Sequence, residues 1–84
     1  MALRTHLRKH RLAVGLSQVE VAAILTLKSA ASVSRWERGA RLPNPERLLE
    51  LSALYHRMVN DLLFPLYVKS RSRVRRQLRG LKRT

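Results

Sequence analysis

Residues 15–39, GLSQVEVAAILTLKSAASVSRWERG, contain two helix beginnings, at Ser17 and at Ser29. Ser17 is a capping residue, and Glu20 three positions later completes a box in which each side chain satisfies the other's backbone amide. Val21, Ala22 and Leu25 then fall on one helical face. After the connection Thr26-Leu27-Lys28, Ser29 is expected to cap a second helix that ends near Gly39. Inside it Val33 and Trp36 stand three apart and should both point into a core. The spacing therefore predicts two helices of about two turns each, joined by a few residues.

The flanks read the same way. Upstream, Leu3, Leu7 and Val14 recur at helical spacing among Arg4, Arg8, Lys9 and Arg11, and Gly15 sits where a left-handed residue would end that helix. Downstream, Arg41-Leu42-Pro43-Asn44 is a loop. Asn44 as cap and Pro45 as first helical residue open a fourth helix, with Leu48, Leu49, Leu51, Ser52 and Tyr55 as inner-surface candidates. Asn60-Asp61-Leu62-Leu63-Phe64 reads as a short fifth helix stopped at Pro65. No segment alternates like a strand, so an all-α fold is expected.

The C-terminal end, KSRSRVRRQLRGLKRT from residue 69, carries eight basic residues and no acid. Val74, Leu78 and Leu81 fall at i, i+4 and i+7, a narrow stripe weakened by Gly80. The chain thus divides into a folded body, residues 1–68, and an Arg-rich tail, residues 69–84, either disordered or a short amphipathic helix.

Composition bounds what such a chain can do. Its 84 residues make one small domain, and with no cysteine neither a disulfide nor a thiolate-bound zinc can stabilise it. Neither a membrane span nor a secretory leader is expected, because no apolar run is long enough and none follows the charged start. Eighteen Lys and Arg oppose five Asp and Glu, a net charge of +13, of which the body holds +5. Such a field attracts polyanions; nucleic acid, an anionic membrane or an acidic protein all qualify on charge alone.

The ordered motifs are more specific. Arg11 precedes GLSQ (Gly15 to Gln18) by four residues; Val21-Ala22 and Leu25 follow, then SVSRWERG (Ser32 to Gly39), Pro43, LLELSAL (Leu48 to Leu54) and Leu62-Leu63. From Leu3 to Phe64 this order resembles the phage-repressor and Cro-like (XRE-type) helix-turn-helix family. The resemblance implies a compact five-helix fold whose third helix, residues 29–38, enters the major groove of double-stranded DNA. Two departures stand out. The family usually separates the second-helix leucine from the next cap by a glycine and an apolar residue; here Thr26-Leu27-Lys28 is one residue longer, which can rotate or shift the reading helix. The family also favours a glycine to end helix four; Tyr55-His56-Arg57-Met58 lacks it, so that helix can run on.

Carried onto this chain, the resemblance makes Arg11 and Glu37 an internal ion pair and points Gln18 at a DNA phosphate or the groove edge. Its base-reading positions fall on Ala30, Ala31 and Arg35. Arginine can bond guanine through two donors, whereas an alanine offers only apolar contact to a thymine methyl. Ser29, Ser32 and Ser34 supply short hydroxyls; Lys28, Arg38 and Arg41 suit phosphates, which position without specifying. Arg71, Arg73, Arg75, Arg76 and Arg79 are expected to grip phosphates outside the groove. Alternatively the tail's stripe docks on the body or a second subunit, or the tail binds RNA or an anionic membrane.

His6 and His10, four apart, are expected as surface residues rather than metal ligands, since no further ligand lies near in sequence. No catalytic set stands out, so no enzyme, metal or cofactor is expected. The reading is a cytoplasmic, nucleoid-associated transcription regulator, a homodimer on a two-fold site. The competing reading is a protein-interaction or antitoxin-like module on the same fold.

Overall fold

The computed structural model describes residues 4–82, which form six helices and no strand. α1 is Leu7–Ala13, α2 Gln18–Ile24, α3 Ala31–Arg38, α4 Pro45–Tyr55, α5 Val59–Leu62 and α6 Phe64–Lys82. Leu3, expected on the first helix, and residues 83–84 of the tail lie outside the described residues.

The first five helices share one core. Leu7 of α1, Val21 and Ala22 of α2, Leu25 beyond it, Val33 and Trp36 of α3, Leu51 and Tyr55 of α4, and Leu62 of α5 are all buried. Leu16, Leu27, Ala30, Leu54 and Leu63 pack against this cluster from its rim. Each fully buried aliphatic side chain contributes about 1.5–3 kcal/mol, so a core this small leaves little margin for error. The N-terminal segment closes onto it: the His6 amide donates to the Leu62 carbonyl at 2.8 Å.

Four helices end in one way. After α1, α2, α3 and α4 the chain turns through a left-handed residue: Gly15 (φ 75°), Thr26 (φ 55°), Gly39 (φ 73°) and His56 (φ 55°). At each, the next amide reaches back to a carbonyl in the last turn. Leu16 bonds Arg11 at 3.3 Å, Leu27 bonds Ala22 at 2.8 Å, Ala40 bonds Arg35 at 3.0 Å and Arg57 bonds Ser52 at 3.1 Å. This closure satisfies carbonyls that a helix end leaves orphaned. A glycine adopts the turn freely, whereas a side chain there costs about 1–2 kcal/mol. Thr26 and His56 bear that cost.

These turns revise two expectations. Helix four does not run on: it stops at Tyr55 because His56 takes the left-handed conformation, and the Ser52 hydroxyl donates to the Arg57 carbonyl across the turn. In the longer turn, Thr26 takes the left-handed conformation, Leu27 packs on the core and Lys28 is exposed. The third helix, expected over residues 29–38, accordingly begins at Ala31. Ser29 is not its cap residue, but its hydroxyl still accepts the Ala31 amide at 3.2 Å.

Other positions also differ. Leu49 is 67% exposed, because α4 turns Leu51 and Tyr55 inward and leaves Leu49 on the outer side. Pro65 stops nothing: it lies in the first turn of α6, where a missing amide costs no internal hydrogen bond. α6 then runs for 19 residues through Gly80. It packs against α5 at its start, and residues 72–81 are exposed along their whole length. A helix of that size spans about 28 Å. It accounts for the elongated outline, 52 Å against 27 and 20 Å.

Candidate nucleic-acid interface

α3 has two faces set by its periodicity. Val33 and Trp36 are buried, and Glu37 beside them is 4% exposed at its side chain. Four and three residues apart on the opposite side, Ala31, Arg35 and Arg38 are exposed. Ser32 and Ser34 lie half-buried between the two faces. Because the inner face packs on α1 and α2, the direction of the outer face is fixed by the core.

A buried charge network adds to that anchorage. Arg11 Nε donates to Glu37 Oε2 at 2.6 Å and Nη2 to Oε1 at 3.1 Å, while Nη1 reaches the Leu16 carbonyl at 2.7 Å. Both side chains are less than a tenth exposed. The hydrogen bonds to Glu37 hold the Arg11 guanidinium charged above its usual range, against the opposing effect of burial. Burial pushes the neighbouring Tyr55 phenol up to about 12, and the Glu37 charge acts in the same direction. With the guanidinium bonded to the end of α1's closing turn, the pair ties α1 to the last turn of α3.

Gln18 joins the same network. Its Nε2 donates to Glu37 Oε1 at 2.9 Å. An amide nitrogen carries two donors, so one remains for an outside acceptor. Among the alanines the structure distinguishes: Ala30 is half-buried against the core and Ala31 is exposed. Lys28, Ser29, Arg38 and Arg41 are exposed around the helix, with Arg38 Nε donating to Ser34 Oγ at 3.3 Å. Arg35 is exposed, and its side chain makes no hydrogen bond or ion pair with the described residues.

Two contributors escape a reading of the sequence. Arg47 Nη1 donates to the Leu25 carbonyl and to Glu50 Oε1, both at 2.8 Å, so α4 clamps the end of α2 just before the turn. The spacing of Arg47 and Glu50 hints at their pairing; the carbonyl they serve is adjacent only in space. Thr26 is the other, since nothing in its neighbours announces a left-handed threonine.

The histidines are a correction. His10 is 7% exposed, and His6 stacks on Phe64 of α6 with ring centroids 5.9 Å apart. Burial, followed by the charges of Arg57 and Lys9, lowers the His10 pKa; a hydrogen bond with the Asp61 backbone opposes them. The two histidines, expected at the surface, instead lie where α1 meets Asp61 and Phe64.

In the tail helix, the Arg71 guanidinium lies 5.7 Å over the Tyr67 ring and is half-buried. Arg73, Arg75, Arg76 and Arg79 are exposed. No helix among the described residues is long and apolar enough to cross a membrane.

In a comparison with known families, the helix-turn-helix pattern matches residues 7–57, from α1 to the turn after α4. No curated protein and no solved structure matches the chain.

Proposed function

Because the chain belongs to the XRE-type helix-turn-helix family of DNA-binding regulators, we propose that it is a sequence-preferring transcription regulator that inserts α3 into the major groove. The observation that carries this reading is the exposed row of Ala31, Arg35 and Arg38 opposite the buried Val33 and Trp36. Arg35 is the main reader, bidentate to a guanine. Ala31 supplies apolar contact to a thymine methyl, and Ala30, packed on the core, brings the helix start close to the backbone. Gln18, oriented by Glu37, offers its second amide donor to a phosphate. Lys28, Ser29, Ser32, Ser34, Arg38 and Arg41 position the helix without specifying sequence.

One reading helix offers few base contacts, so the protein acts as a homodimer on a two-fold site. The labour divides near residue 68, inside α6. The body reads, and Arg71, Arg73, Arg75, Arg76 and Arg79 of residues 69–84 add phosphate contacts.

Selection from a randomised DNA library gives the site, and the reading requires a two-fold motif with guanine at a fixed position in each half. A pool without enrichment would refute sequence preference. Each phosphate neutralised adds about 0.9 to the slope of log affinity against log salt. Removing residues 69–84 should lower that slope by several units, and an unchanged slope would remove the tail from the interface.

A further inference from the structure

We infer that α6 and the apolar groove at its base form a docking surface for an acidic amphipathic helix of another protein. The groove, with a volume of about 670 Å³, is lined by Leu42 of the loop before α4, Val59, Asn60 and Leu63 at α5, and Leu66, Tyr67 and Ser70 of α6. It does not end at the body. Tyr67 and Ser70 also line a second depression that continues along α6 past Arg71 to Val74 and Arg75. One apolar track therefore leads from the core's rim onto the projecting helix, where Val74 is 58% and Leu78 47% exposed.

The spacing of the track selects a helix as its occupant. Tyr67, Arg71, Val74 and Leu78 follow one another at steps of four, three and four. That is the narrow a/d seam by which two helices interlock, and it is thinner than the broad stripe that faces a bilayer or a core. Arg71 stands in the line itself, spread over the Tyr67 ring. An arginine within a seam calls for a carboxylate opposite.

Charge selects the kind of helix. α6 contains seven Lys and Arg and no Asp or Glu. A second copy would set two such helices side by side with no acid to pair any of them. A helix with Asp or Glu beside its seam would be drawn to Arg71 and Arg75 and bury Val74 and Leu78 at once. Arg73, Arg76 and Arg79 fall on the opposite side of α6, so their phosphate contacts leave Val74 and Leu78 uncovered, while Arg71 and Arg75 meet either a phosphate or the partner's carboxylate.

The test uses the full chain and a labelled synthetic helix of about three heptads, with leucine at its seam positions and glutamate on both flanks. A control peptide keeps the same composition with the leucines moved off the seam. Fluorescence anisotropy should show the seam peptide binding at least tenfold more tightly than the control. Val74→Ser with Leu78→Ser should abolish that preference while Val74→Leu retains it; all three changes are at exposed positions outside the reading helix, and circular dichroism checks that helicity is kept. Equal binding of the two peptides would overturn the inference. So would self-association of the free chain, measured by ultracentrifugation, that the double substitution removes, because a second copy would then be the occupant. Binding to phosphatidylserine vesicles lost in the same variant, without peptide preference, would assign the seam to lipid.

Discussion

α3 and α6 both carry exposed arginines, but only α3 is told where to point. Val33 and Trp36 bury one of its sides, and the Arg11–Glu37 pair fastens its last turn to α1. Arg35 consequently projects in a direction fixed to the body. Residues 72–81 of α6 are all exposed, and arginine occurs on nearly every side. A charge of fixed direction can read an edge of a base, whereas charges spread around a projecting rod can supply attraction and salt dependence. On the proposed reading the same residue type serves two ends, because one helix is anchored on the core and the other leaves it.

The anchorage is the place to break this contrast. Glu37→Leu leaves the Arg11 guanidinium buried without its counter-charge and should cost about 3–5 kcal/mol of unfolding free energy in urea titrations. Arg79→Ala, an equally drastic change of charge on α6, should alter stability by no more than about 0.5 kcal/mol. Similar losses in both would mean that α3 is held no more firmly than α6.

The turn before α3 sharpens the contrast from the other direction. Thr26→Gly relieves a left-handed side chain while adding backbone freedom to the unfolded chain. The net expectation is a gain of about 1 kcal/mol or less, read as a higher midpoint in the same titration. Thr26→Val, which keeps the branch and loses the hydroxyl, should give no gain. A loss of stability in the glycine variant would show that the turn is not strained.

The smallest effect concerns the junction from which α6 departs. His10 faces Arg57, Lys9 and His6, with the Asp61 backbone opposing them, and its pKa is lowered. The unfolded chain therefore binds the proton more readily than the folded one. Stability from this group is complete above the ordinary histidine pKa of about 6.5 and is lost as pH falls through the lower folded value. Unfolding free energy should decline on acidification through that window in the native protein, and the decline should shrink in His10→Phe. An unchanged decline would assign it to another group.

The fold lay open in the sequence wherever a local rule and the core agreed. Ser17 with Glu20, Asn44 with Pro45, and Gly15 and Gly39 each announce a helix boundary through their own chemistry, and the structure uses all of them. Boundaries carried by tertiary context were hidden. Thr26 and His56 take glycine's conformation because the packing on either side requires a turn there, and neither residue type advertises it. Proline breaks helix interiors, so Pro65 suggests a stop, but in the first turn of α6 the same property is harmless. At the interface, the periodicity of α3 separated Val33 and Trp36 from Arg35. The difference between Ala30 and Ala31, the Arg47 clamp and the bond from Gln18 to Glu37 depend on neighbours far along the chain.

The most direct test of α3 as a fixed reader compares Arg35→Ala with the native chain on a selected site and on unrelated DNA, at one salt concentration. The account predicts that the ratio of specific to non-specific affinity falls by a factor equivalent to about 1–3 kcal/mol per guanine contact, with non-specific binding little changed. An equal loss on both DNAs would contradict it, because Arg35 would then be one more phosphate contact.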